Sequence, residues 1–176
     1  TMPRVMVFMD GSNLHWARRI YNQQNRTDLK IDYQKFVNVI VGNRELVRAI
    51  YYCSKPDSPS EGQQKFIAYL RSIGIQVVEK LLKTRTDVVT KRMFSVEKGV
   101  DVALAVDLVQ LAWENAYDVA LIVSGDSDYI GAIRVIMSKG KNVEVVSFKN
   151  ALSRELREAA LRTVFIDDIV PQIIAT

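Results

Sequence analysis

Apolar and polar positions along the chain alternate between two rhythms. Short apolar runs rich in β-branched side chains at residues 4–9, 46–53, 75–79, 119–123, 143–148 and 164–166 predict strands. Between them apolar residues recur at helical spacing: Leu14, Trp16 and Ile20, then Tyr33, Phe36, Val37 and Ile40, then Phe66, Ile67 and Leu70, with further helices over 100–113, 129–137 and 152–161. Strands alternating with helices predict an α/β, three-layer fold, a mostly parallel central sheet with helices on both faces. The run 119–123 is polar at neither face and reads as a central strand. Helix 100–113 is apolar nearly all round and is expected to be buried. The rhythm fails over 81–97, where 86–90 is a candidate surface ribbon; a long irregular stretch inside a compact domain is more often functional than idle.

Two of the strands end in acids. Asp10 closes the first and is followed by Gly11, Ser12 and Asn13; the strand 119–123 runs into Ser124, Gly125, Asp126, Ser127 and Asp128. In a parallel sheet the carboxyl ends of the strands face the ligand, and neighbouring carboxylates raise each other's pKa unless a positive charge joins them. An Asp-rich turn that caps the next helix is the plainer explanation of Asp126 and Asp128; Asp10, at the same topological place, weighs against it. Asp101 shares a helix face with Leu104, Leu108 and Leu111 and is expected to point inward. Asp107 lies about 120° round that helix from Asp101 and is expected to be structural. Converging carboxylates without a histidine or thiolate call for a hard cation, Mg²⁺ or Mn²⁺ rather than zinc.

Composition narrows the chemistry further. At 176 residues and 48% apolar content the chain is expected to form one domain over 1–176. No apolar run is long enough to span a bilayer and no signal-peptide pattern opens the sequence, so a soluble, cytoplasmic protein without a membrane partner is expected. One cysteine, Cys53, and one histidine, His15, rule out a disulfide framework and a structural zinc site. Six basic residues against two acids over 80–98 match the net charge of the whole chain, +4. They fit a polyanion path along Lys83, Arg85, Lys91 and Arg92, with Lys98 nearest the acids; a solvated loop is the alternative. There is no G-x-x-x-x-G-K-[ST] and no G-x-G-x-x-G. Ser12 stands where a haloacid-dehalogenase-like phosphatase needs its second Asp, and the third strand lacks the acceptor Asp of a phospho-receiver domain.

Three motifs in this order, Asp10-Gly11-Ser12-Asn13, Lys98-Gly99-Val100-Asp101 and Ser124-Gly125-Asp126-Ser127-Asp128, resemble those of the NYN domain family in its LabA-like (DUF88) branch, over about residues 4–169. The resemblance implies a PIN-like fold related to metal-dependent ribonucleases, in which Asp10, Asp101, Asp126 and Asp128 hold Mg²⁺ or Mn²⁺, with Asn13 and Ser124 as polar companions that orient water or phosphate. The expected function is hydrolysis of RNA, single-stranded, by a metal-activated water. The rival is a non-catalytic RNA-binding or regulatory scaffold with a vestigial metal site, and a homo-oligomer is left open.

Overall fold

A computed structural model describes residues 1–96 and 99–176. Six strands form one parallel sheet: β1 (Arg4–Asp10), β2 (Glu45–Lys55), β3 (Gln76–Leu81), β6 (Val119–Val123), β7 (Asn142–Ser147) and β8 (Arg162–Phe165), in the order β3-β2-β1-β6-β7-β8. The chain adds strands outward on one side as far as β3, then returns to the middle and adds them outward on the other. This doubly wound order leaves a crevice between β1 and β6, where the winding reverses.

Alternation along each strand supplies both faces. Val5, Val7 and Met9 pack with α1 (Gly11–Asn25), α2 (Tyr33–Val41), α3 (Glu61–Ser72) and the terminal α7 (Val170–Ile173). Met6 and Phe8 pack on the opposite face with α4 (Val100–Trp113), α5 (Ile130–Ser138) and α6 (Arg154–Ala159). The five residues of β6 are all buried, because both faces of a central parallel strand are covered. Truncating Leu121 or Ile122 to Ala costs about 2–5 kcal/mol. Asp10, Asp32 and Ser60 cap α1, α2 and α3, each accepting from a backbone N–H three residues on; such caps contribute about 1 kcal/mol apiece.

Three sequence expectations need correction. Helix α4 is not buried all round: Val100, Leu104, Leu108 and Ala112 form its core face, whereas Val102, Val106 and Trp113 are more than half exposed. Asp101 is exposed, since one residue past Val100 on a helix turns it about 100° off that core face. The irregular segment also contains more order than its apolar pattern suggests. Strands β4 (Lys83–Thr86) and β5 (Met93–Val96) pair antiparallel, and residues 86–90 belong mostly to the turn rather than to the ribbon. The Asp87 carboxylate accepts from the Val89 and Thr90 N–H groups and closes that turn. Side chain to backbone closure of this kind leaves no periodic trace in a sequence.

Candidate active site

Strands β1 and β6 pair in register from Val5 with Val119 to Met9 with Val123, so Asp10 and Ser124 emerge together at the carboxyl edge. Asp10 is only 6% exposed. One carboxylate oxygen accepts from the Asn13 N–H at 3.2 Å; the other accepts from the Ser124 hydroxyl at 3.2 Å and the Tyr129 hydroxyl at 2.9 Å. All three donors are neutral. Burial pushes the Asp10 pKa above its ordinary 3.8, the three hydrogen bonds pull it back, and the neighbouring charge of Asp126 pushes it up again. Tyr129 is itself buried. Burial, then Asp10, then Asp101 and Asp126 raise its pKa far above the ordinary phenol range, so it stays a neutral donor while three carboxylates bear on it.

The turn after β6 is held from both sides. The Ser124 hydroxyl, donating to Asp10, accepts from the Asp126 N–H at 3.2 Å, and the Asn13 side-chain oxygen accepts from the Gly125 N–H at 3.1 Å. Gly125 carries no side chain because a Cβ there would lie 2.0 Å from the Ala151 carbonyl oxygen. That contact, with the Ser153 N–H donating to the Gly125 carbonyl at 2.9 Å, ties the turn to the loop after β7. Gly11 is required for the same reason: its Cβ would meet the Tyr51 ring and the Tyr52 carbonyl at 2.6 Å. Asp126 caps the short 3-10 turn Ser127–Tyr129, accepting from the Asp128 N–H at 2.9 Å. The cap is therefore present, and it does not remove Asp126 from the cleft beside Asp10.

These residues line a cleft of about 490 Å³. Asp10, Asn13, Asp101 and Asp126 all face it. Ser124 does not; at 1% exposed it sits beneath the acids with its hydroxyl engaged by protein, so it positions Asp10 and Asp126 rather than touching water or phosphate. Asp128 is exposed and lies outside the lining residues. Asp107 accepts from the Tyr52 hydroxyl at 2.8 Å and is structural. Lys83, Arg85, Lys91 and Arg92 are exposed on the ribbon and its turn, and Lys98 falls outside the described residues. Tyr129 is the participant that residue spacing alone does not reveal, because its role depends on a hydroxyl reaching back under β1. Its position directly after Asp128 was the only available signal.

The family model described as the NYN domain matches residues 4–167. The chain belongs to the NYN domain family. NYN domains are in general metal-dependent ribonuclease domains. This NYN domain is 28% identical over 168 residues to the Low amplitude and bright protein LabA of Synechococcus elongatus, covering 94% of this chain and 85% of the relative. A crystal structure of a protein of unknown function from Vibrio parahaemolyticus superposes with a TM-score of 0.76 at 24% identity, covering 99% of this chain and 97% of the other, a likeness of fold alone. Among the described residues of the NYN domain no helix is long and apolar enough to cross a membrane.

Proposed function

We propose that this protein is a metal-dependent ribonuclease that uses the carboxylates of Asp10, Asp101 and Asp126 to bind Mg²⁺ or Mn²⁺ and hydrolyse RNA phosphodiester bonds. The observation that carries the proposal is Asp10: a carboxylate nearly removed from water, served among the described residues by neutral donors, and opening on a cleft shared with two further acids. A buried anion without a cation is costly, and all-oxygen donors suit Mg²⁺ or Mn²⁺. Among the described residues no three acids form a ready group around an ion. Mg²⁺ does not require one, since it is bound by one or two carboxylates completed by waters and substrate phosphates. The donor set therefore fits.

When bound, the ion supplies polarisation of the scissile phosphate and activation of a water. The chain's own residues do the positioning. Ser124 and Tyr129 fix the orientation of the Asp10 carboxylate, Ser124 also sets the Asp126 backbone, and Asn13 locks the Gly125 turn against α1. Asp128, outside the cleft lining, contributes less than the other three acids. The substrate is RNA, single-stranded, cut within the chain. Lys83, Arg85, Lys91 and Arg92 contact its phosphates from the ribbon.

The absence of a three-acid group favours one second reading, a non-catalytic RNA-binding or regulatory scaffold with a vestigial metal site. Incubating the purified protein and a labelled single-stranded RNA with Mg²⁺, Mn²⁺ or EDTA separates the two. The ribonuclease reading expects cleavage with either metal and none in EDTA. RNA bound with equal affinity and left uncut in all three supports the scaffold.

A further inference from the structure

The α1 face that begins at the acids continues along the cleft as Asn13, Trp16, Ala17 and Ile20, at the three-and-four spacing of one helix side. Leu14 and Ala17 already fill the packing against the sheet, and Trp16 and Ile20 remain 56% and 41% exposed. The Arg19 guanidinium stands 5.0 Å from the centroid of the Trp16 ring, and His15 meets that ring edge-on at 5.6 Å. A single exposed apolar side chain needs no explanation. A large aromatic braced by a cation, one helical turn from an acid-lined cleft, fits the combination that single-stranded nucleic-acid sites use, a π-face for a base with a positive charge for its phosphate.

We propose that Trp16, braced by Arg19, is a stacking platform for an unpaired base next to the acidic cleft, and that it makes the site select single-stranded over base-paired RNA. The proposal rests on the reading of this cleft as an RNA site. In a duplex the faces of a base are stacked on its neighbours and closed to a side chain; in a single strand they are open. Arg19 supplies a positive charge that the three acids of the cleft do not.

The chain has two tryptophans, so Trp113→Phe leaves Trp16 as the sole indole reporter. The probe is a nuclease-resistant 2′-O-methyl phosphorothioate oligonucleotide in Mg²⁺, single-stranded or annealed to its complement. The single strand should quench Trp16 fluorescence and the duplex should not. Trp16→Ala should weaken single-strand binding about five- to a hundredfold, Trp16→Phe should retain most of it, and Arg19→Ala should lower the slope of log affinity against log salt by about 0.7 where Trp16→Ala leaves it unchanged. Equal quenching by the duplex, or wild-type affinity in Trp16→Ala, overturns the platform. Should Trp16→Ala instead change only the elution volume of the protein, the side chain belongs to a protein contact and the platform is again overturned. Intact wild-type RNA binding in these cases leaves the RNA site standing, whereas a wild type that binds no RNA removes both.

Discussion

The two ends of β6 carry the same residue type in opposite circumstances. At the amino end Asp118 accepts from the Arg4 backbone N–H at 2.8 Å and from its guanidinium at 3.0 Å, while Arg4 and Lys141 converge on Asn115. The Arg4 side chain first, then its backbone N–H, holds the Asp118 carboxyl below its ordinary range. At the carboxyl end Asp10 and Asp126 share a cleft, and among the described residues no lysine, arginine or histidine is bonded to Asp10. One end neutralises its acid with cations of its own chain and is complete. The other buries an acid with neutral donors and raises its pKa, an arrangement that proteins keep where an external cation or a reaction requires it. Counting acids does not separate the two ends; the partners do.

Exchanging the acids one at a time is the strongest way to break this contrast. Asp126→Asn should lower RNA cleavage in Mg²⁺ by about a hundredfold or more, since it removes a candidate ligand charge and preserves the cap. Asp118→Asn should leave the rate unchanged, because this partly exposed ion pair lies at the opposite end of β6 from the cleft. Equal losses in the two variants, with native circular dichroism in both, would show that the contrast carries no chemistry.

Tyr129→Phe sharpens it next. The phenyl ring keeps the core packing and deletes the hydroxyl that aims the Asp10 carboxylate, so cleavage should fall about ten- to a hundredfold, the usual range for a group that orients a ligand. Full activity in this variant would reduce the Tyr129 contact to packing.

With no lysine, arginine or histidine among the described residues bonded to Asp10, the ribbon is the larger source of charge for the proposed substrate's phosphates. Replacing Lys83, Arg85, Lys91 and Arg92 together with Ala should weaken binding similarly across sequences and flatten the salt dependence by up to about 0.7 per lost contact. An unchanged slope would make the ribbon a solvated loop and move the path to α1.

The smallest effect is on stability against pH, where the two ends should move in opposite directions. Asp118 has a depressed folded pKa; its contribution is present above the ordinary 3.8 and is lost as pH falls through the folded value, so Asp118→Asn should blunt the acid-side loss. Asp10 has a raised folded pKa; its contribution is present below 3.8 and is lost as pH rises through the folded value. In EDTA, the melting temperature of Asp10→Asn relative to wild type should therefore climb over the interval from the ordinary 3.8 up through the folded value. A difference that stays flat over that interval would mean that burial of the Asp10 carboxylate is not what shifts it.

Sequence alone determined the alternation of strands and helices, the parallel sheet and the strand ends that bear acids, because each follows from local periodicity and from the rule that parallel strands need crossover helices. The placing of Asp10 and Asp126 at one edge of the sheet was also legible, since their motifs lie next to the strands that present them. Three features depended on contacts between residues far apart in the chain. Whether Asp101 turns to the core or to the cleft was decided by Val100 taking the packing position of α4. Ser124 and Tyr129 became positioning groups only when β6 settled beside β1 and brought both hydroxyls to Asp10, more than a hundred residues away. Gly125 reads as a turn glycine in the sequence, but its need for no side chain comes from the Ala151 carbonyl, a close approach that only the docking of the loop after β7 creates. Periodicity records how each segment meets water, and it carries no information on which distant backbone will occupy the space beside it.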